Sequence, residues 1–192
     1  PYNMARTYAN FLGMSYKTAY EDGSYSITEY EVGRPVKQVS PGGITTFTEY
    51  NAKGEVSRTA IDLDASGTLN NKDRITEYSR SVLSDHGTNV RRTTVKVNGQ
   101  EASVTDVSLD GLRTWETRYG RLTTSVTVIN RDAATKTTTI TNPDGSASIL
   151  SYQNGLLMSS THSVLGTSTY AYDVHNRLSS QQTTVNGSPR TV

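Results

Sequence analysis

At short intervals the chain places a dipeptide that suits only a tight turn: Asp22-Gly23, Asn98-Gly99, Asp110-Gly111, Asp144-Gly145, Asn154-Gly155 and Asn186-Gly187. Asn-Gly and Asp-Gly are the preferred central pair of a type I′ hairpin turn, because both positions must tolerate positive φ. Turns this frequent leave room for short strands that pair with their sequence neighbours. The fold class expected is all-β, a repetitive antiparallel β-hairpin strip.

The segments between turns agree. Thr123-Thr124-Ser125-Val126-Thr127-Val128 and Thr137-Thr138-Thr139-Ile140-Thr141 are rich in β-branched residues that favour a pleated, half-buried surface. Val126 and Val128 share one face, as do Val95 and Val97, so one face is expected to be apolar and the other lined with hydroxyls. Ile75, Tyr78 and Val82 have helical spacing but also fit a strand leading into the turn Ser84-Asp85-His86-Gly87, and the strand is favoured. The hydrophobic fraction is 33%, against roughly 45–50% in typical globular domains, so a large two-sided core is not expected. Lys+Arg number 19 and Asp+Glu 18, scattered without a basic stripe, which argues against a nucleic-acid partner. There is no cysteine and therefore no disulfide, thiolate metal site or thiol nucleophile. No apolar run reaches membrane-span length, and Pro1-Tyr2-Asn3 opens without a signal-like segment. The missing initiator Met suggests a piece of a longer protein.

Alignment on Tyr exposes an internal repeat: Tyr30-Glu31-Val32-Gly33-Arg34, Tyr50 to Val56, Tyr119-Gly120-Arg121-Leu122, Tyr152 to Leu157, and Tyr172-Asp173-Val174-His175-Asn176-Arg177-Leu178. Each has an aromatic at a strand end, a turn closed by Gly or Asn, and a basic or apolar residue restarting the next strand. Each ring is expected to lie over its turn with the hydroxyl in water, stapling neighbouring hairpins. Anchors recur at intervals of about twenty to forty residues, as in repeat arrays.

The last unit, Gly166 to Leu178 with Tyr170, Tyr172-Asp173 and Arg177-Leu178, resembles the repeat of the YD-repeat or Rhs superfamily. That signature runs Tyr, any residue, Tyr-Asp, two residues, Gly-Arg-Leu. Asn176 stands where the family has Gly, a substitution that a left-handed turn position accepts. The resemblance covers roughly residues 20 to 185, with YD-like units near 24–40, 41–60, 109–125, 142–160 and 166–185 in a single repetitive region, 1–192. It implies a YD/Rhs-type coil of hairpins forming part of a larger shell or fibre, as in bacterial polymorphic toxins, insecticidal toxin complexes and teneurins. A structural, non-enzymatic role outside the cell or at its surface follows, toxin encapsulation included. Its partners would be flanking YD repeats or neighbouring copies of the same protein. Asn142-Pro143-Asp144-Gly145 differs in residue order from the family's self-cleavage motif and reads as an ordinary turn.

One insertion, residues 62–73, carries coordination chemistry. Asp62, Asp64, Ser66, Thr68, Asn70 and Asp73 fall at positions one, three, five, seven, nine and twelve of a calcium loop, with Gly67 at six and Leu69 at eight. Asp62, Asp64 and Ser66 would bind a structural calcium through side chains, Thr68 through its carbonyl, and Asn70 directly or through water, with Asp73 closing the site. Asp is shorter than the usual Glu at twelve, and the flanks look like strands instead of helices. The same residues also suit a polar loop in which Asp, Asn and Ser cap turns.

Other candidates are weaker. His86, His162 and His175 lie far apart beside polar turns and read as surface residues, since no nucleophile elbow or metalloprotease motif accompanies them. Trp115, near Arg113, Arg118 and Tyr119, could offer a platform for carbohydrate or pack between hairpins, and packing is favoured. Asn186-Gly187-Ser188 is formally a glycosylation sequon, although Pro189 follows it. No catalytic residue is assigned. The alternative to a structural role is an adhesion module that binds carbohydrate or a cell surface.

Overall fold

A computed structural model describes residues 5–185 and 188–191, the side chains of 185 and 188–191 excepted; the Asn186-Gly187 turn and its sequon lie outside them. Among the described residues there is no helix, and so none long and apolar enough to cross a membrane. The strands run β1 (Arg6–Ala9), β2 (Ser15–Ala19), β3 (Tyr25–Glu31), β4 (Arg34–Val39), β5 (Thr45–Tyr50), β6 (Val56–Ile61), β7 (Arg74–Asp85), β8 (Thr88–Val97) and β9 (Gln100–Ser108). They continue with β10 (Arg113–Arg118), β11 (Arg121–Asn130), β12 (Thr135–Thr141), β13 (Ala147–Gln153), β14 (Leu156–His162), β15 (Gly166–Tyr172), β16 (Leu178–Val185) and β17 (Ser188–Thr191). Strands adjacent in sequence pair antiparallel, so the protein is an all-β, repetitive hairpin strip. The helical spacing of Ile75, Tyr78 and Val82 lies within β7. Two compact units divide the chain: residues 1–79 with 94–102, and residues 80–93 with 103–192.

In the first unit one turn design recurs. Asn10, Tyr20, Ser40 and Asn51 each accept a hydrogen bond from the amide three residues on, and each donates its own amide to the carbonyl four residues on. The third residue after each is a glycine at positive φ: Gly13, Gly23, Gly43 and Gly54. This is a type I turn closed by a glycine bulge, the usual solution for a hairpin loop slightly longer than two residues. Asp22 therefore keeps negative φ and caps the turn, its Oδ1 accepting the Ser24 amide at 2.9 Å. The type I′ expectation for Asp22-Gly23 is corrected: Asp precedes the left-handed residue and does not share that conformation. True two-residue turns occur at Val32-Gly33 and Asn98-Gly99, where both residues have positive φ.

The second unit uses both designs. Asn142 to Gly145 and Asp173 to Asn176 form the bulged type, with Asn176 at φ 61° as its left-handed residue. Gly111 likewise donates to the Ser108 carbonyl, so Asp110 and Asp144 cap bulged turns as Asp22 does. His86-Gly87, Tyr119-Gly120 and Asn154-Gly155 are two-residue turns. The hydroxyl rows pair across strands: Thr127 with Thr138 at 3.0 Å, Thr161 with Thr167 at 3.0 Å, and Ser168 with Thr183 at 2.9 Å. Val126 and Val128 do share a face, but both are exposed, so that apolar face is not buried against a second layer.

Apolar burial is correspondingly slight. Among the described residues the buried apolar side chains are Ala60 and Val90, whereas Thr45, Asp62, Asp73, Asp106 and Ser108 are buried and polar. Every buried side-chain polar atom among them has a hydrogen-bond partner, as stability demands of polar groups withdrawn from water.

Among the described residues Val32 is the one β-branched residue at positive φ (48°), and it is fully exposed. A left-handed L-residue other than Gly, Asn or Asp costs roughly 1–2 kcal/mol. Val32→Asn is expected to raise unfolding free energy in urea by about 1 kcal/mol; an unchanged or lowered midpoint would show that the turn is not strained.

Candidate functional site

The chemistry of this chain is concentrated at hairpin corners, in one loop and in one charged cluster. At the corners the strands slip register beside a tyrosine: between Glu29 and Tyr30, Glu49 and Tyr50, Ser151 and Tyr152, and Ala171 and Tyr172. A bulge bends its strand and re-aims a side chain. Tyr30 Oη donates to the Ser15 carbonyl at 2.8 Å, Tyr50 Oη to Pro35 at 3.0 Å and Tyr172 Oη to Leu157 at 2.9 Å, each acceptor lying fifteen residues upstream. These hydroxyls are therefore not left to water, as the sequence suggested, but tie each strand to the start of the one before it.

After Tyr50 and Tyr172 the next residue caps the turn. Asp173 Oδ1 accepts the amides of His175 (2.9 Å) and Arg177 (3.0 Å), and its Oδ2 accepts Arg177 Nε at 2.8 Å. The amide and guanidinium of Arg177 hold the Asp173 carboxyl below the ordinary carboxylate range. Asn51 acts in the same way after Tyr50, its Oδ1 accepting the Lys53 and Glu55 amides at 2.9 and 3.0 Å. Asn10 repeats it at the first turn. A cation from the preceding strand covers the aromatic: Arg34 lies 5.4 Å from the Tyr50 ring centre and Lys136 lies 4.1 Å from that of Tyr152. Gly54, at φ 80°, sits under the Arg34 guanidinium, so a side chain here would strain the left-handed backbone and displace the guanidinium from its place over Tyr50. Sequence reading passed over the Asn10 corner because it lacks Tyr; the pattern Asn/Asp/Ser, two residues, Gly would have found it.

The 62–73 loop belongs to the first unit and brings its acids together. Carboxylate oxygens of Asp62, Asp64 and Asp73 all lie within 4.8 Å of one another. Asp62 Oδ1 and Oδ2 accept the Ser66 and Gly67 amides at 3.1 and 2.8 Å, and Asp73 Oδ2 accepts that of Asn70 at 2.8 Å. Asn70 Nδ2 stands among Asp64 Oδ1 (3.2 Å), Ser66 Oγ (2.9 Å) and the Thr68 carbonyl (3.3 Å). Hydrogen bonds from Asn70 and Ser66 hold Asp64 below the ordinary range. Lys37 Nζ donates to the Gly67 carbonyl at 3.0 Å and so fastens the loop. The loop thus gathers the oxygens at positions three, five and seven around one point, with Asp62 and Asp73 buried beneath.

In the second unit a cluster appears that sequence reading missed. Asp106, 2% exposed on β9, receives Arg92 Nε at 2.7 Å on one oxygen, and Arg92 Nη2 at 2.6 Å and His86 Nε2 at 2.9 Å on the other. Arg92 also reaches Asp85 at 2.5 Å. The His86 ring stacks on Trp115 with centroids 4.3 Å apart and planes 11° apart. His86 is exposed at its turn, as the sequence suggested, but its ring is engaged by Asp106 and Trp115, and Trp115 packs against it. His162 Nδ1 accepts the Val164 and Leu165 amides, and His175 stays exposed in its turn. Separations of twenty and fourteen residues gave no local sign of this cluster; only strand register joins it.

These features define a class: a strip of antiparallel hairpins stapled at their corners by tyrosine. No family model matches the chain, and no curated protein matches it in sequence. Among solved structures it is similar to TcdB2-TccC3, with 14% identity and a TM-score of 0.44, and to TcdB2-TccC3-TEV, with 15% identity and a TM-score of 0.39. Each match covers 94% of this chain and 11% of the other. Neither likeness is close enough to carry an argument about fold or function.

Hydrogen bonds from Arg92 lead the effects that lower the Asp106 carboxyl, against the opposing effect of burial. A carboxyl lowered in the folded state adds stability above its unfolded pKa and loses it as pH falls through the folded value. Asp106→Asn is expected to cost about 2–4 kcal/mol at neutral pH by leaving Arg92 and His86 short of their anion. In urea titrations across pH, the gap between parent and variant should shrink below about pH 4; a gap independent of pH would contradict the assignment.

Proposed function

We propose that this chain is a wall segment of a YD-repeat protein, a structural and non-enzymatic strip that adds stacked hairpins to an extracellular shell, tube or surface fibre. The observation that carries the reading is the corner formed by Tyr172, Asp173, Asn176 and Arg177. There the residues of the Tyr-Asp, two residues, Gly-Arg pattern act in turn as staple, cap, left-handed turn residue and partner to the cap. Tyr50, Asn51 and Gly54 fill the first three of these roles with a different set of residues, which supports repetition of one unit.

Slight apolar burial supports a wall in place of a self-contained domain. Flanking YD repeats or neighbouring copies would cover the open strand edges, since unpaired edges recruit further strands. Such a wall would encapsulate or present another domain. The adhesion reading needs an aromatic platform, and His86 occupies one face of the Trp115 ring. Electron microscopy of the full protein tests the proposal together with a glycan array on the isolated chain. A continuous hairpin wall without glycan binding is expected, and strong glycan binding by a monomer would overturn the structural reading.

Within this wall the 62–73 loop would bind calcium through Asp62, Asp64, Ser66, the Thr68 carbonyl, Asn70 and Asp73. Rotation of the Asn70 amide would exchange its NH2, now among three oxygens, for Oδ1 as a further ligand. A cation there would relieve the repulsion among three close carboxylates, offset at present by backbone amides and by Lys72, 3.6 Å from Asp64. Calcium is expected to raise the melting temperature of the parent and to leave Asp64→Ala unchanged. A parent indifferent to both calcium and chelator would remove the metal from the account.

A further inference from the structure

We propose that Asn154-Gly155, the turn between β13 and β14, is a site of spontaneous covalent modification, and that the fold protects the otherwise equivalent Asn98-Gly99. Both are exposed two-residue turns with positive φ at each residue, 52° and 82° against 49° and 77°. Open space surrounds both glycines. Their carboxamides differ. Asn98 Oδ1 accepts the Ile75 amide at 2.7 Å, while Asn98 donates its own amide to the Ile75 carbonyl at 2.8 Å. The Asn154 carboxamide makes no hydrogen bond to the described residues; only its main-chain amide is engaged, by the Ala134 carbonyl at 2.9 Å.

The reaction needs only water. The Gly155 main-chain nitrogen attacks Asn154 Cγ, giving up its proton as the new N–Cγ bond forms. The Cγ–Nδ2 bond breaks and ammonia leaves, closing a five-membered succinimide. Water then opens the ring at either carbonyl, giving Asp or isoaspartate with a new negative charge. Glycine is the residue that least obstructs the attack, since no side chain shields its nitrogen. The Asp-Gly pairs are poorer substrates for the same cyclisation: Asp22, Asp110 and Asp144 each have an oxygen held by an amide two residues on.

The position gives the chemistry a structural consequence. Isoaspartate routes the main chain through Cβ and lengthens a turn whose flanks, Gln153 and Leu156, are paired. Leu157, the next residue, supplies the carbonyl that holds Tyr172. Isoaspartate at 154 would therefore loosen the corner beside it.

The test incubates the whole chain at mildly alkaline pH, with and without urea, and follows tryptic peptides 137–177 and 97–113 by mass and by isoaspartyl content. In the folded chain Asn154 is expected to convert roughly five-fold faster than Asn98, the factor that corresponds to about one net hydrogen bond. In urea the two rates should converge. Asn154→Gln should abolish the early gain of mass on peptide 137–177. Equal folded rates, faster conversion at Asn98, no conversion at Asn154, or a ratio that persists in urea would each overturn the proposal.

Discussion

A tyrosine hydroxyl bonded to a carbonyl on the preceding strand is the contact on which the rest of this structure depends. A two-stranded hairpin alone is marginal in water, and here little apolar surface is buried to help it. The bulge beside each of these tyrosines turns the ring back over the preceding strand, and the hydroxyl then reinforces at the strand's far end the register that the tight turn sets. Tyr30 and Tyr50 stand twenty residues apart and each reaches a carbonyl fifteen residues upstream, so the contact repeats with one hairpin's length of chain. Periodicity in sequence becomes periodicity in bonding.

The interiors of both units follow from the shortage of apolar residues. In place of a second layer of Leu and Ile, the first unit buries Asp62 and Asp73 of a hydrogen-bonded loop, and the second buries Asp106 under Arg92 and His86. Polar interiors are directional. They specify a register where a greasy interface would allow slippage, but removing one partner leaves another charge unsatisfied. Thr hydroxyls paired across strands extend the same device along the second unit.

Much of the fold was legible because turn chemistry is local. Gly23, Gly54 and Asn176 occupy the left-handed positions their turns implied or allowed, and the Thr runs became strands. The loop acids were legible for the same reason: twelve consecutive residues suffice to bring Asp62, Asp64 and Asp73 together. What escaped was set by register. Nothing near His86 in sequence announces Asp106 or Trp115, and nothing near Tyr172 announces that its hydroxyl would reach Leu157. The difference between Asp-Gly in a bulged turn and Asn-Gly in a two-residue turn was likewise invisible until the neighbouring hydrogen bonds were seen.

The staple can be measured by removing the hydroxyl and nothing else. Urea unfolding of Tyr50→Phe, Tyr172→Phe and the double variant, with Tyr119→Phe as control because Tyr119 is 81% exposed at a turn tip, tests it directly. The account predicts a loss of about 1 kcal/mol at each staple, near-additivity in the double variant because the two tyrosines share no partner, and no change at Tyr119. Phe variants at 50 and 172 as stable as the parent would contradict it.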